Sequence, residues 1–359
     1  MQTAIRATLI RGGTSRGLYF RSDDLPEDVP TRDRVLLAAM GSPDSRQIDG
    51  IGGAHPLTSK VAILSKPSRP DADIDYLFLQ VSVDRAEVSD VQNCGNILAG
   101  VGPWAIENGY VDAQSDTTDV RIHMVNSGGM AVASVATPAG QVAVEGQTRI
   151  DGVPGTASAI PLNFVDVAGS SCGSLLPTGQ ARDHINGIDV TCIDNGMPVV
   201  LIKASDLGKT GYESPAELES DTELKSRIED LRLAIGTAMN LGDVRKKTVP
   251  KMCLIAPPAD GGVVTTRSFI PHRVHEAIGV LGAVSVATAC VIDGTVASGV
   301  AQVSQTDDMK VEHPTGYFSV AMATEGEGVE LSVVRSALLR TARKLFCGEI
   351  YIPASIWSP

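Results

Sequence analysis

Two stretches of this 359-residue chain are apolar on every side, and they limit what it can fold into. Residues 97–106 read Ile-Leu-Ala-Gly-Val-Gly-Pro-Trp-Ala-Ile, and residues 279–292 read Gly-Val-Leu-Gly-Ala-Val-Ser-Val-Ala-Thr-Ala-Cys-Val-Ile. A helix with no polar face must be buried all round. Both stretches fall short of the roughly 18 residues needed to span a bilayer, so each is expected to run through a protein core. Gly100 and Gly102 weaken the first as a helix but let neighbouring backbone approach closely.

Each stretch needs strands to cover it. Residues 4–10 read as a strand, the run Arg11-Gly12-Gly13-Thr14-Ser15-Arg16-Gly17 turns it, and residues 18–20 resume, which is a hairpin pattern. Further strands at 61–64 and 75–83 lead to the first apolar helix. After it, short strands at 120–125, 130–136, 141–145 and 157–164 have the spacing of an antiparallel sheet. The second half repeats the plan, with strands at 189–193, 198–203, 252–256 and 263–269 before the second apolar helix. Strands at 297–302, 316–323 and 329–334 follow it. Two amphipathic helices complete the pattern. One covers 33–40, with Thr31 as cap and Gly41 as stop. The other follows Asp221, with Leu224, Ile228, Leu231 and Ile235 on one face. The repetition suggests an internal duplication. The fold class is therefore α+β, with two pseudo-symmetric domains, each a β-sheet wrapped around a central buried helix. The length also favours two domains. The loop-rich passage ending near residue 182 divides them into 1–182 and 183–359, the last strand being free to return to the first domain. A ligand is expected between the halves.

Formal net charge is −12, which argues against a nucleic-acid partner, since that needs a basic face. The opening Met-Gln-Thr-Ala-Ile-Arg has no signal-peptide pattern, and the chain has no membrane-spanning run. Six scattered cysteines show neither a disulfide framework nor paired metal-ligand spacing, so a reducing cytoplasm is expected. His272-x-x-His275 lacks a clear third ligand for zinc. The cations that stand out lie among glycine, serine, threonine and proline. Arg11 and Arg16 flank one glycine-rich turn, Lys60 closes another, and Arg267, His272, Arg273 and His275 cluster further on. Loops of this kind are where function tends to lie.

Cys94 opens the first apolar helix between Asn93 and Gly95-Asn96. Asn93 is expected to cap the first turn and leave Cys94 beside free N–H groups at the positive end of the helix dipole. That setting favours the thiolate below its ordinary pKa of ~8.5 and attracts an anion. Cys172, Cys192, Cys253, Cys290 and Cys347 read as buried space-filling residues. A cysteine hydrolase would need a histidine partner, and the nearest in sequence, His55, stands in a glycine loop.

Arg-Gly-Gly-Thr-Ser-Arg-Gly (11–17), Gly-Ser-Pro-Asp (41–44), Gln-Ile-Asp-Gly-Ile-Gly-Gly (47–53), Thr-Ser-Lys (58–60), Asp-Tyr-Leu-Phe (75–78) and Gln-Asn-Cys-Gly-Asn (92–96) together resemble the PrpF family. Ile-Asp-Asn-Gly-Met-Pro (193–198), Met-Asn-Leu-Gly-Asp-Val (239–244) and Arg-Ser-Phe-Ile-Pro-His-Arg (267–273) extend the match over nearly the whole chain. The resemblance implies a diaminopimelate-epimerase-like fold and a cofactor-independent isomerase. The matching branch acts on 4-oxalomesaconate, a small tricarboxylate of gallate and protocatechuate breakdown. A methylaconitate-type isomerase of another tricarboxylate is the alternative, and a non-catalytic carboxylate-binding protein is the alternative of another class. Lys60 and Cys94 fall on the family's acid/base pair. Arg11, Thr14, Ser15, Ser59, Asn93, Gly95, Asn96, Arg267, Ser268, His272 and Arg273 are then the residues to hold substrate. No metal or cofactor is implied, and a homodimer is left open. Diaminopimelate epimerases use a second cysteine at the start of the second helix. Here that helix begins Val280-Leu281-Gly282-Ala283, and Cys290 lies too far along it, so lysine takes the missing partner's place.

Overall fold

The computed structural model describes residues 1–359 except Gln92, Asp166, Lys246, Gln305, Asp307 and 327–331, and leaves out the side chains of Thr324 and 332–335. In chain order the strands begin β1 (Gln2–Gly12), β2 (Ser15–Arg21), β3 (Lys60–Ser65), β4 (Ile74–Val81), β5 (Val88–Ser89), β6 (Asp116–Met124), β7 (Gly129–Thr137) and β8 (Ile160–Val165). Next come β9 (Asp183–Ile185), β10 (Ile188–Asp194), β11 (Pro198–Lys203), β12 (Lys251–Ala256) and β13 (Val264–Phe269). Last are β14 (Met309–His313), β15 (Gly316–Glu325), β16 (Ser332–Arg340) and β17 (Ala342–Pro353). The helices are α1 (Val29–Met40), α2 (Gly95–Leu98), α3 (Val101–Glu107), α4 (Pro215–Ser220), α5 (Thr222–Ala238) and α6 (Val280–Val291).

The chain forms two compact units, Met1–Leu162 with Leu339–Pro359, and Asn163–Leu338. Their strands pair in the same order. In the first unit β1–β2 is antiparallel, β2–β3 parallel, β3–β4 antiparallel, β4–β6 parallel and β6–β7 antiparallel. In the second, β10–β11, β11–β12, β12–β13, β13–β14 and β14–β15 follow the identical sequence. The parallel steps fall where a helix intervenes: α1 and then α2–α3 in the first unit, α5 and then α6 in the second. A parallel pair needs such a crossover, so the sheets are mixed, while the strands expected at 120–125 and 130–136 pair antiparallel as their spacing predicts.

The sequence boundary at 182 differs from the unit boundary at 162. The passage after residue 166 is tied to β10: the Asp194 carboxylate accepts from the N–H groups of Ser171 and Cys172, both at 2.8 Å, and Cys172 sits in the second unit's core. The last strand, β17, pairs with β1. Two expected strands are absent. Ala139 and Gly140 both have positive φ (54° and 75°) and turn the chain before 141–145. Residues 297–302 are a turn, in which Ala297 O accepts from the N–H groups of Val300 and Ala301, both at 2.9 Å. Of the strand expected at 329–334, residues 329–331 lie outside the described residues. α1 starts earlier than expected, because Asp28 and not Thr31 is the cap, accepting from Thr31 N–H at 2.9 Å. Gly41, at φ 80°, ends it. α5 is capped by Asp221 as its pattern predicts.

Both apolar stretches are helical and buried, but differently. α6 is one helix, buried from Val280 through Ala289. Its two hydroxyls are satisfied inside the unit: Ser285 Oγ donates to Met197 O (2.7 Å) and Thr288 Oγ1 to Val284 O (2.8 Å). The first stretch splits into α2 and α3. Pro103 has no N–H for the carbonyl of Ala99, and the buried Tyr19 hydroxyl donates to the carbonyl of Ile97. The two glycines make room for side chains more than for backbone. A Cβ on Gly100 would lie 2.4 Å from Tyr19 Oη, and one on Gly102 2.9 Å from Val135 Cγ2.

The first unit's sheet has two distinct faces. Ile5, Ala7, Leu18, Phe20, Val61 and Ile63 pack with Val35, Leu36, Ala39 and Met40 of α1. The alternate positions, among them Gly12, Gly17 and Tyr19, face α2, since Cβ atoms there would meet, or the side chain does meet, Asn96 and Ile97. Among the described residues no helix is long and apolar enough to cross a membrane.

Gly100→Ala should therefore displace the rigid Tyr19 ring and lower stability by about 1–3 kcal/mol. Urea denaturation of the variant checks this, and an unchanged midpoint would contradict the packing described.

Candidate active site

β3 begins at Lys60, and strand alternation turns Lys60, Ala62 and Leu64 away from the α1 face. Lys60 is 7% exposed, with Nζ 5.1 Å from the centre of the Phe78 ring. The same Nζ is 3.6 Å from Cys94 Sγ. Cys94 is half-buried and is itself the residue that caps α2, in extended backbone (φ −130°, ψ 100°). The expected cap, Asn93, points elsewhere: its Nδ2 donates to Ser127 Oγ at 2.7 Å. The first helical bond runs from Leu98 N–H to Cys94 O at 2.9 Å, so the amides of Gly95, Asn96 and Ile97 precede it, as at any helix start.

Several residues hold this pair in place without having been singled out from the sequence. Tyr76 donates to Cys94 O at 3.1 Å, from below the helix start, and Tyr19 takes the next turn at Ile97 O. Burial, and after it the charge at Cys94, raises both phenols well above their usual value, so they act as neutral donors. Gln47 fastens the loop that precedes Lys60: its Nε2 donates to Ser59 Oγ (2.7 Å) and its Oε1 accepts from Ala54 N–H (2.9 Å). Arg340 is 3% exposed, and burial pushes its guanidinium down to about 10 while the charge at Cys94 works against that shift. Tyr19 and Arg340 are lone positions that carry no local sequence signal for such roles, whereas Tyr76 stands in the motif Asp-Tyr-Leu-Phe (75–78). Gln47 did have one, in the motif 47–53.

The remaining sequence candidates divide into groups. Thr14, Ser15, Asn93, Gly95 and Asn96 lie with Lys60 and Cys94 in the first unit. Asn96 Nδ2 donates to Thr14 Oγ1 at 3.1 Å, tying the hairpin turn to α2. Ser15 Oγ, Asn93 Oδ1 and Asn96 Oδ1 are buried and have no hydrogen-bond partner among the described residues. Ser59 is fully buried and engaged by Gln47. Arg11 stands apart. β1 directs it to the α1 face, opposite Lys60, and its Nη1 donates to Gly13 O (3.1 Å) and Thr341 O (2.8 Å). Arg267, Ser268, His272 and Arg273 belong to the second unit. Arg267 and Ser268 are in strand β13 and not on a loop. Arg267 Nη1 donates to Thr266 O at 2.8 Å and Nε to Glu213 O. Arg273 is exposed, and His272 Nδ1 is exposed 3.8 Å from Glu229 Oε2. His275 Nδ1 accepts from Ala277 N–H at 2.9 Å.

The PrpF protein family model matches residues 2–353. The chain belongs to the PrpF family. It is 60% identical over 358 residues to the 4-oxalomesaconate tautomerase of Pseudomonas putida, covering 99% of this chain and 98% of that protein. It is 59% identical over 345 residues to a (4E)-oxalomesaconate Delta-isomerase of Novosphingobium sp. strain KA1, covering 96% of each. Among solved structures, a methylitaconate-delta-isomerase superposes with a TM-score of 0.86 at 33% identity, over 100% of this chain and 99% of that one. The fold of this PrpF chain is the diaminopimelate-epimerase-like one its motifs implied.

The cysteines of this PrpF chain are not uniformly buried apart from Cys94. Cys172, Cys192 and Cys253 are buried and Cys290 half-buried, and burial pushes the thiols of Cys172, Cys253 and Cys290 up to about 12. Cys347 is exposed on β17, opposite Thr8 of β1. Iodoacetamide should therefore label Cys94 and Cys347 first, and a tricarboxylate analogue should protect Cys94 alone. Peptide mapping after partial alkylation reads this, and earlier labelling of Cys172 or Cys253 would contradict it.

Proposed function

We propose that this chain is a cofactor-independent isomerase of 4-oxalomesaconate, with Lys60 and Cys94 as its acid/base pair. The observation that carries the reading is the 3.6 Å approach of Lys60 Nζ to Cys94 Sγ in a chain 60% identical to a 4-oxalomesaconate tautomerase. Two titratable groups of different type, side by side at the edge of a buried helix, suit a reaction that removes a proton at one carbon and returns one at another.

In 4-oxalomesaconate a carbon proton is activated by a conjugated ketone and flanking carboxylates. One member of the pair accepts that proton. The C–H electron pair becomes a new C=C bond, and either the old C=C pair moves to the far carbon, which takes the returning proton, or the ketone C=O pair moves onto its oxygen, which takes it. The other member supplies the proton that closes the shift. Charge builds up on oxygen in between, and donors set in place beforehand stabilise it most. Asn93, Asn96, Ser15 and the amides following Cys94 are the donors and acceptors we assign to substrate. All six cysteines are free, which suits the reducing cytoplasm we assign to the reaction.

Freshly generated 4-oxalomesaconate followed by proton NMR in deuterium oxide tests the reaction. Deuterium should enter only at the carbons that lose and gain protons, and the rate should not change with EDTA. Cys94→Ser and Lys60→Met should each keep the fold and lower kcat by about 100-fold or more, Lys60→Met also raising KM. Near wild-type turnover in either variant would remove that residue from the chemistry.

A further inference from the structure

Three arginines stand directly opposite one another across three neighbouring strands. Arg343 on β17 pairs with Arg11 on β1, and Arg11 pairs with Arg16 on β2. Directly opposed residues of antiparallel strands point to the same face, and like charges in that relation are destabilising. The face is the one covered by α1, since Leu18 and Phe20, two and four residues beyond Arg16, pack with α1. It is opposite the face of Lys60 and Cys94.

Nothing acidic neutralises the row. Among the described residues none of the three guanidinium groups is within ion-pair distance of a carboxylate. Arg16 Nε is buried without a hydrogen-bond partner among those residues, and Arg16 Nη2 lies against Gly53. Arg11 and Arg343 line a cavity of about 800 Å³ together with Thr341, Thr148, Thr156 and Glu145. Among the described residues Glu145 is the one acidic residue lining the cavity, and it makes no ion pair there. Such an uncompensated cationic row in a chain of net charge −12 has a physical reason if an anion completes it.

We propose that this cavity is a second anion site, separate from the Lys60–Cys94 pair, that binds a small di- or tricarboxylate across Arg343 and Arg11, with Arg16 at the end of the row. Adjacent strands lie about 5 Å apart, which brings Arg11 and Arg343, the two that line the cavity, within reach of separate carboxylates of one small molecule. A single phosphate reaches fewer of the arginines. Arg11 also links this site to the other face, because its Nη1 holds Gly13 O and Thr341 O and the same turn carries Thr14, the partner of Asn96.

Citrate and inorganic phosphate are the probes, titrated calorimetrically into the full chain carrying Lys60→Met, which weakens anion binding at the other face. Citrate should bind at one saturable site, and phosphate at least about 10-fold more weakly. Adding Arg343→Ala, an exposed position outside the acid/base machinery, should weaken citrate by about 10-fold or more, the scale of a lost charge-assisted hydrogen bond. Arg343→Lys should recover part of that loss. In the chain with Lys60 intact, Arg343→Ala should leave isomerase turnover in anion-free buffer unchanged. Absence of saturable citrate binding, or equal affinity with and without Arg343, overturns the site. Phosphate binding as tight as citrate overturns the polycarboxylate assignment. The calorimetry needs no isomerase activity, so it stands or falls independently of the reaction proposed for Lys60 and Cys94.

Discussion

The polar backbone of a helix that has no polar side must be satisfied by whatever surrounds it, and in the first unit that requirement positions Cys94. α2 and α3 carry almost no polar side chains into their surroundings. Pro103 and Tyr19 together interrupt the helix between them. The carbonyls of Cys94 and Ile97 take their extra partners from Tyr76 and Tyr19, two phenols buried beneath α2. These bonds hold the start of α2 and so keep Cys94 beside Lys60. The two phenols, distant in sequence from Cys94, thus help set its distance from Lys60.

Strand alternation does the rest. β3 enters from a glycine-rich loop tied down by Gln47 and puts Lys60 on the helix face, while its neighbours Val61 and Ile63 go to α1. One sheet separates two environments. One face holds a lysine and a thiol against a buried helix. The other holds apolar packing that ends in three opposed arginines. A one-residue change of register in β1 or β3 would exchange these sets, so strand pairing is as much a part of the site as Lys60 and Cys94 themselves.

Much of this was legible from residues alone. The all-apolar stretches, the Asp221-capped helix and the hairpin around Gly12-Gly13 are local patterns with local causes, and the structure has each of them. The motifs holding Lys60 and Cys94 were legible for the same reason, because turn residues, caps and glycines carry their constraint in the sequence. The misreadings were of another kind. Residues 141–145 and 297–302 have strand-like composition but no partner strand, and a strand exists only through its partner. Asn93 looked like a cap, yet Ser127 competes for its side chain. Arg11 looked like a ligand for substrate until the pairing of β1 showed which face it takes.

By itself the sequence determined that two wholly apolar helices must be enclosed, that each half repeats one plan, and that a cysteine and a lysine stand at glycine-rich junctions. These follow from side-chain chemistry and short-range periodicity. Only the tertiary structure decided that Lys60 and Cys94 meet, that Tyr19, Tyr76, Gln47 and Arg340 surround them, and that Arg11 faces Arg343 and not Lys60. Each of those facts depends on strand register and on which face a residue takes, and contacts between residues far apart in the chain leave no local trace in it.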